Sequence, residues 1–272
     1  MRRVRLGSIL GGIAALAALL SVPAASAATL IGDYQLQGAR SSSSGPGAAL
    51  ADLGAGVNSF QSDMVMGVSR QVLAFPQHNG LRLNPTGITA STYSVVATFR
   101  LADVSSYKRI LDSTNGTSDS GFYAHTGKAD YYDNGTDYES PAALLFNNAY
   151  ATVAITQVSP PVGSALSSIY VNGSLAAQHG SAFPVLGDTL RFFKDNVSGG
   201  SVNEDSAGAV SCIRVFNGAL TGAEVAAIGA SPNCAPPGPS PSAAPPKKKC
   251  KKKHKKRSAE SAKKKCKKKR KR

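Results

Sequence analysis

Between residues 28 and 234 the chain runs in short stretches of alternating apolar and polar residues, separated by clusters of Gly, Asn, Asp and Pro. Successive side chains of a strand point to opposite faces, so such alternation marks strands buried on one side. Tyr93, Val95, Ala97, Phe99 and Leu101 fall on one face of a strand, and Ser94, Thr98 and Arg100 on the other. Val153 and Ile155 alternate with Thr152, Ala154 and Thr156. Ile169 and Val171 lead into Asn172-Gly173, a two-residue hairpin turn in which both residues tolerate positive φ, and Leu175 and Ala177 begin the returning strand. Each sheet made this way has one apolar face, so two must stack. The pattern predicts an all-β, antiparallel two-sheet sandwich.

One helix interrupts the strands. Thr221 and Glu224 have the spacing of a capping box, Leu220 is placed to staple onto Val225, and Gly229 is placed to stop the helix. About two turns of helix are marginal alone. Val225 and Ile228 are therefore expected to pack it against a sheet edge.

Composition changes the picture mainly at the two ends. The 272 residues carry a net charge of +15, but residues 247–272 hold 15 Lys and 3 Arg against the single Glu260, and Arg2, Arg3 and Arg5 add to the basic side. What lies between is mildly acidic. Residues 1–27 join a cationic start, an apolar run from Leu6 to Leu20 and the small residues Ala25-Ser26-Ala27, the pattern of a secretory signal peptide and shorter than a membrane span. No later segment approaches spanning length. Residues 28–234 are the expected domain, 235–246 a Pro-rich linker and 247–272 a Lys-rich disordered tail. Export permits disulfides among Cys212, Cys234, Cys250 and Cys266. Connectivity is not fixed by sequence; Cys212 with Cys234 is the favoured pair, since it would tie the end of the domain to its sheet. A zinc site on the tail cysteines is the rival, but no Cys-x-x-Cys unit is present.

Ser94 to Arg100 ahead of Tyr107-Lys108-Arg109-Ile110-Leu111, then Ile169-Tyr170-Val171-Asn172-Gly173, then Gly208 to Asn217 leading into Ala219-Leu220-Thr221 and Glu224-Val225 resemble laminin-G-like jelly-roll domains of the concanavalin A-like lectin and glucanase superfamily. The resemblance covers Leu30 to Cys234, and its most specific part is the closing strand followed by the short capped helix. It implies a jelly roll with two antiparallel sheets, commonly used outside cells to bind glycans, proteins or cell surfaces. The chain departs from many such domains in having no Trp.

Part of that superfamily hydrolyses glycans, for which a retaining enzyme needs two carboxyl groups about 5 to 5.5 Å apart. The Glu-x-Asp-x-Glu type of strand is absent, the domain has only Glu139, Glu204 and Glu224, and the last is assigned to the helix cap. Glu204 and Asp205 are adjacent and would face opposite ways in a strand. A carboxylate pair assembled from distant loops is the remaining route to hydrolysis. His78, His125 and His179 stand singly in expected turns and read as surface residues. A calcium ion is the better chemical expectation, because hard cations take oxygen ligands and Asp130, Asp133 and Asp137 are concentrated in one stretch, although without EF-hand spacing. Asp133-Asn134-Gly135 reads equally as a solvated hairpin tip. Tyr123, Tyr131, Tyr132 and Tyr138 are candidate stacking surfaces for sugar rings beside Asn134, with packing of the sandwich as the alternative for half of these rings.

The tail supplies the other function. Lys247, Lys248, Lys249, Lys251, Lys252 and Lys253 recur as Lys263, Lys264, Lys265, Lys267, Lys268 and Lys269 around a central Cys. Such a polycation binds polyanions by releasing counterions, with little selectivity. In an exported protein, anionic envelope polymers or lipid are nearer partners than nucleic acid, which would bind only non-specifically. The sequence thus reads as a secreted, envelope-associated recognition domain for an extracellular glycan or surface protein. Its alternatives are a glycoside hydrolase or lyase of the same superfamily, and a structural surface protein without a small ligand.

Overall fold

A computed structural model of the protein describes residues 28–89, 91–159, 163–195 and 204–236. The leader and the lysine-rich tail lie outside the described residues. In chain order the strands are β1 (Thr29–Tyr34), β2 (Ala51–Leu53), β3 (Ser59–Val65), β4 (Val68–Phe75), β5 (Gly80–Leu83), β6 (Tyr93–Leu101), β7 (Lys108–Asp112), β8 (Gly121–His125), β9 (Lys128–Asp133), β10 (Thr136–Glu139), β11 (Ala151–Val158), β12 (Leu166–Val171), β13 (Ser174–His179), β14 (Leu190–Phe192) and β15 (Gly208–Asn217), followed by helix α1 (Gly222–Ile228).

They form two antiparallel sheets. The first has the order β13-β12-β11-β6-β15-β4-β3, with β1 also paired to β15, and the second has the order β10-β9-β8-β7-β14-β5-β2. The jelly-roll sandwich expected from the alternation is present. Tyr93, Val95, Ala97, Phe99 and Leu101 of β6 point between the sheets and join Phe122, Ala124, Ala129 and Tyr131 from the second sheet in one core. Ser94 and Thr98 point outward, as the alternation requires. There Ser94 Oγ accepts the Leu220 amide at 2.8 Å, and Thr98 Oγ1 lies 2.9 Å from Thr152 Oγ1.

The Asn172-Gly173 turn joins β12 to β13 with positive φ at both residues, 51° and 85°. Past it, Leu175 is not inward as the alternation suggested. The register shifts between Ile169 and Tyr170, so Leu175 pairs with Tyr170 and is 52% exposed, while Ala177 keeps its place opposite Ile169.

The capping box on α1 forms in both directions: Glu224 N donates to Thr221 Oγ1 and Thr221 N donates to Glu224 Oε2. The helix lies beside the edge strand β13, and its buried residues reach over the outer face of the first sheet. Val225 and Ile228 pack with Val96, Ala154 and Phe216, on the outer face of the first sheet at its centre. The Cys212–Cys234 disulfide is formed and closes the same cluster, tying the segment after α1 back to β15.

Candidate functional site

The outer face of the second sheet is built differently. Four successive strands turn every second residue outward: Arg109 on β7; Gly121, Tyr123 and His125 on β8; Lys128, Asp130 and Tyr132 on β9; Asp137 and Glu139 on β10. The register confirms the shared face, with Arg109 opposite Tyr123, Tyr123 opposite Asp130, Gly121 opposite Tyr132, Asp130 opposite Glu139 and Tyr132 opposite Asp137. These residues alternate with the core residues Phe122, Ala124, Ala129 and Tyr131.

Tyr107, just before β7, closes over this face. Its ring stacks on His125 at 3.7 Å between centroids and meets Tyr123 and Tyr132 edge-on at 5.6 and 5.7 Å. Its hydroxyl donates to the Asp137 carboxylate, with its oxygens at 2.8 and 2.9 Å. Tyr107, Tyr123 and Tyr132 line a cavity of about 80 Å³ whose remaining wall is Asp119 and Glu204. Tyr107 and Tyr132 keep part of their surface open, and Tyr123 is buried beneath them.

The acidic wall is assembled from three distant places in the chain. Asp119 precedes β8, Asp195 follows β14, and Glu204 is brought in because its carbonyl accepts the Arg109 amide at 2.8 Å. One carboxylate oxygen from each of the three lies within 4.8 Å of the others. The fully buried Arg109 guanidinium holds the group together. It lies 3.2 Å from Asp195 and 3.6 Å from Asp119, donates to the Ser120 carbonyl at 3.2 Å, and stacks 4.1 Å above the Tyr123 ring centroid. The guanidinium fits because Gly121 has no side chain: a Cβ there would stand 2.0 Å from Arg109 Nη1. Burial, and then the Asp195 and Asp119 carboxylates, push Glu204 up to about 7, against the opposing pull of Arg109.

Of the candidate residues read from sequence, the rings of Tyr123 and Tyr132 and the Glu204 carboxylate line this cavity. Tyr131 is in the core, stacked on Phe183 at 4.4 Å, and offers no surface to a sugar. Tyr138 packs inward against Tyr131 and His179, and Asn134 is exposed at the β9–β10 turn with φ 47°. The aspartates separate by the period of the strand. Asp130 and Asp137 share the outer face, whereas Asp133, an odd number of residues from Asp130, turns the other way to His179 at 3.3 Å and accepts the Ser120 hydroxyl at 3.0 Å. The three carboxylates thus do not converge as one oxygen set. His125 takes the place expected of Asp133. Burial, and then the adjacent Asp137 carboxylate, push Asp130 up to about 7. Neither His125 nor His179 is in a turn; each ends a strand and pairs with a carboxylate, Glu139 at 2.7 Å and Asp133 at 3.3 Å. Asp205 leaves the cavity to Glu204 and pairs with His78 at 3.0 Å.

Tyr107, Asp119, Asp195 and His125 were not singled out for this role in the sequence. The signal for most of this face was a second alternation, of polar and aromatic residues: Tyr107 and Arg109, Tyr123 and His125, Asp130 and Tyr132, Asp137 and Glu139 are each two apart. Asp119 and Asp195 lie in loops and gave none.

Two antiparallel sheets stacked as a jelly roll, with one short helix on the outer face of the first, define a concanavalin A-like sandwich. The chain belongs to the Concanavalin A-like lectin/glucanases superfamily, whose laminin-G-like family it matches over residues 75–226. Among solved structures it is similar to domain 4 of an extracellular arabinanase from Geobacillus stearothermophilus, solved in complex with arabinotriose, with TM-score 0.54 and 13% identity over 73% of this chain and 97% of that one. It is also similar to the binding domain of Paraclostridial Mosquitocidal Protein 1 (TM-score 0.52, 10% identity) and to that of Botulinum Neurotoxin DC, solved in complex with SialylT (TM-score 0.50, 14% identity). In both, 73% of this chain is covered, and it spans only 51% and 50% of the toxin domains. No curated protein matches the chain. Among the described residues no helix is long and apolar enough to cross a membrane.

Proposed function

We propose that the chain is an exported glycan-binding module that takes its ligand on the outer face of the second sheet. The observation that carries this reading is the cavity itself: the partly open rings of Tyr107 and Tyr132 stand opposite the carboxylates of Asp119 and Glu204. A sugar ring offers an apolar face to an aromatic ring and hydroxyls to acceptors at its edge, and this wall supplies both. The wall is acidic, so the ligand is a neutral or amino sugar; sialic acids and uronic acids are repelled. An arabinotriose complex of a fold relative agrees with the neutral class. The test is a glycan array on the full chain, in which neutral or amino glycans are retained and uronate-rich ones are not; exclusive binding of acidic glycans would defeat the assignment.

The leader and tail complete this reading, with the signal peptide exporting the protein and the lysine repeats holding it to anionic envelope polymers or lipid. Deleting residues 247–272 is expected to move the protein from the envelope to the medium, and high salt to extract the intact form. Retention of the truncated chain would refute the anchor.

One observation favours a second reading, glycoside hydrolysis. Asp119, Asp195 and Glu204 converge within 4.8 Å, and Glu204 holds a proton near neutrality as a general acid does. Against it, Arg109 binds two of the three carboxylates. Release of reducing ends from an array-positive glycan, abolished in Glu204→Gln, would establish the enzyme; intact glycan after prolonged incubation leaves binding alone.

A further inference from the structure

Five Asn-Gly pairs stand in the chain: Asn79-Gly80, Asn115-Gly116, Asn134-Gly135, Asn172-Gly173 and Asn217-Gly218. In such a pair the main-chain nitrogen of the glycine can reach the side-chain carbonyl carbon of the asparagine and close a five-membered ring, because no Cβ on the glycine hinders the approach. Closure needs an asparagine side chain that can turn and a glycine amide that is not already donating a hydrogen bond.

The fold withholds one or both at four of these pairs. At Asn79 the side chain is buried, with Oδ1 accepting the Gly56 amide at 3.0 Å and Nδ2 donating to Asn58 Oδ1 at 2.9 Å. At Asn115 the Gly116 amide donates to the buried Asp112 carboxylate at 2.7 Å. At Asn217 both groups are engaged, Nδ2 with Thr89 Oγ1 at 2.9 Å and the Gly218 amide with the Thr92 carbonyl at 3.0 Å. At Asn172 the side-chain Oδ1 accepts the Thr152 amide at 3.0 Å, and Gly173 is pressed on the end of α1, where a Cβ would stand 2.8 Å from Gly229 Cα. Asn134-Gly135 is different. Both residues are exposed at the tip of the β9–β10 hairpin, and nothing stands within 4 Å of where a Gly135 Cβ would be. The Gly135 amide donates to no group among the described residues. The Asn134 side chain is held by one contact, from Nδ2 to the adjacent Asp133 carboxylate at 2.8 Å, which leaves its carbonyl open. Its hairpin also ends in an edge strand, since β10 is laddered to β9 on one side only.

We propose that Asn134 is a modification site at which the folded chain deamidates spontaneously in water. The Gly135 nitrogen loses its proton to solvent and bonds to Asn134 Cγ; the Cγ–Nδ2 bond breaks, and ammonia leaves with a proton from solvent. Water then opens the succinimide. Attack at Cγ yields an aspartate at this position, and attack at the main-chain carbonyl yields an isoaspartate. One water is consumed and one ammonia released, with no oxidation or reduction. An aspartate tolerates the φ of 47° that the turn imposes and leaves the hairpin standing. An isoaspartate adds a methylene to the main chain of a two-residue turn, and the length of that turn sets the register of β10 on β9. The register places Asp137 opposite Tyr132, where it holds the Tyr107 hydroxyl, so isomerisation at the tip loosens the ring that closes over the open face. The inference stands whether or not the cavity binds a glycan.

The test incubates the full chain in ¹⁸O-labelled water at mildly alkaline pH, folded and in denaturant, and digests it afterwards in ordinary water, so that conversion during digestion carries no label. Fragmentation in the mass spectrometer assigns the label to a residue. In the folded chain, conversion at Asn134 is expected to run about tenfold or more faster than at Asn79, Asn115, Asn172 and Asn217, whereas denaturant brings them to similar rates by removing the contacts that protect them. A folded chain in which Asn134 stays unlabelled while denaturant labels it, or in which another pair keeps pace with it, would overturn the assignment. The isoaspartyl form, separated chromatographically and identified with an isoaspartyl methyltransferase, is expected to melt below the Asn134→Asp chain; an equal Tm would overturn the consequence for register.

Discussion

The two outer faces of the sandwich are made from the same strand alternation and have opposite fates. On the first sheet the outward residues at the centre are Val96, Ala154 and Phe216, and the chain covers them with α1 and locks the cover with Cys212–Cys234. On the second sheet the outward residues are Arg109, Tyr123, Asp130, Tyr132 and Asp137, and Tyr107 folds over them. Apolar side chains gain by being sealed from water. Rings and charges that are to meet a ligand must be held by one another instead, and on the open face nearly every charged group is paired with a neighbour. The comparison teaches where to look for stability and where to look for recognition in this protein.

The largest expected effect breaks the open face from within. Arg109→Met removes the buried guanidinium that contacts Asp195 and Asp119 and leaves the buried Asp195 carboxylate to face the part-exposed Asp119 and Glu204 carboxylates, at a cost of about 3–5 kcal/mol in denaturant unfolding. On the sealed face, replacing Cys212 and Cys234 by Ser opens a loop with a sequence separation of 22 residues and is expected to cost about 3 kcal/mol, with the second sheet face unaltered. Thr221→Ala removes the cap of α1 and should cost about 1 kcal/mol, read as a fall in Tm. A stability loss in Thr221→Ala larger than in the disulfide variant would contradict the view that the covalent lock dominates this face.

A finer distinction lies in pH. The folded state pushes Glu204 from 4.5 up to about 7, so the folded chain holds that proton more tightly than the unfolded one. Stability from this group is therefore present at low pH and declines as pH rises from about 4.5 through 7. Glu204→Gln should flatten this part of the Tm profile between about pH 5 and 8 and raise Tm at the upper end. Thr221 carries no titrating group, so Thr221→Ala should shift the profile without changing its slope between about pH 5 and 8.

Much of the fold was legible because its signals are local. The alternation in β6 and β11, the Asn172-Gly173 turn and the Thr221–Glu224 box each fit within a few residues, and each is found in place. The favoured disulfide also forms. The helix meets the edge strand β13 as expected, but nothing local states that Val225 and Ile228 reach the apolar side chains at the centre of the face. The site was harder for two physical reasons. Asp130, Asp133 and Asp137 are close in sequence, but the strand period sends the middle one to the opposite face, and the hairpin brings Asp137 back beside Tyr132. Asp119, Asp195 and Glu204 meet only because β14 pairs with β7 and the Glu204 carbonyl accepts the Arg109 amide, contacts between segments some 90 residues apart in the sequence. Tyr131 and Tyr132 illustrate the same limit: neighbours in the chain, one is core and the other is cavity wall.

The central claim is that recognition resides on the open face, and calorimetric titration of a neutral oligosaccharide retained on the array, into the unsubstituted chain and into Tyr132→Ala, tests it most directly. The expected result is a loss of at least tenfold in affinity with an unchanged Tm, about 1.4 kcal/mol or more. Equal affinity in the two proteins, with both folded, would place binding elsewhere and contradict the account.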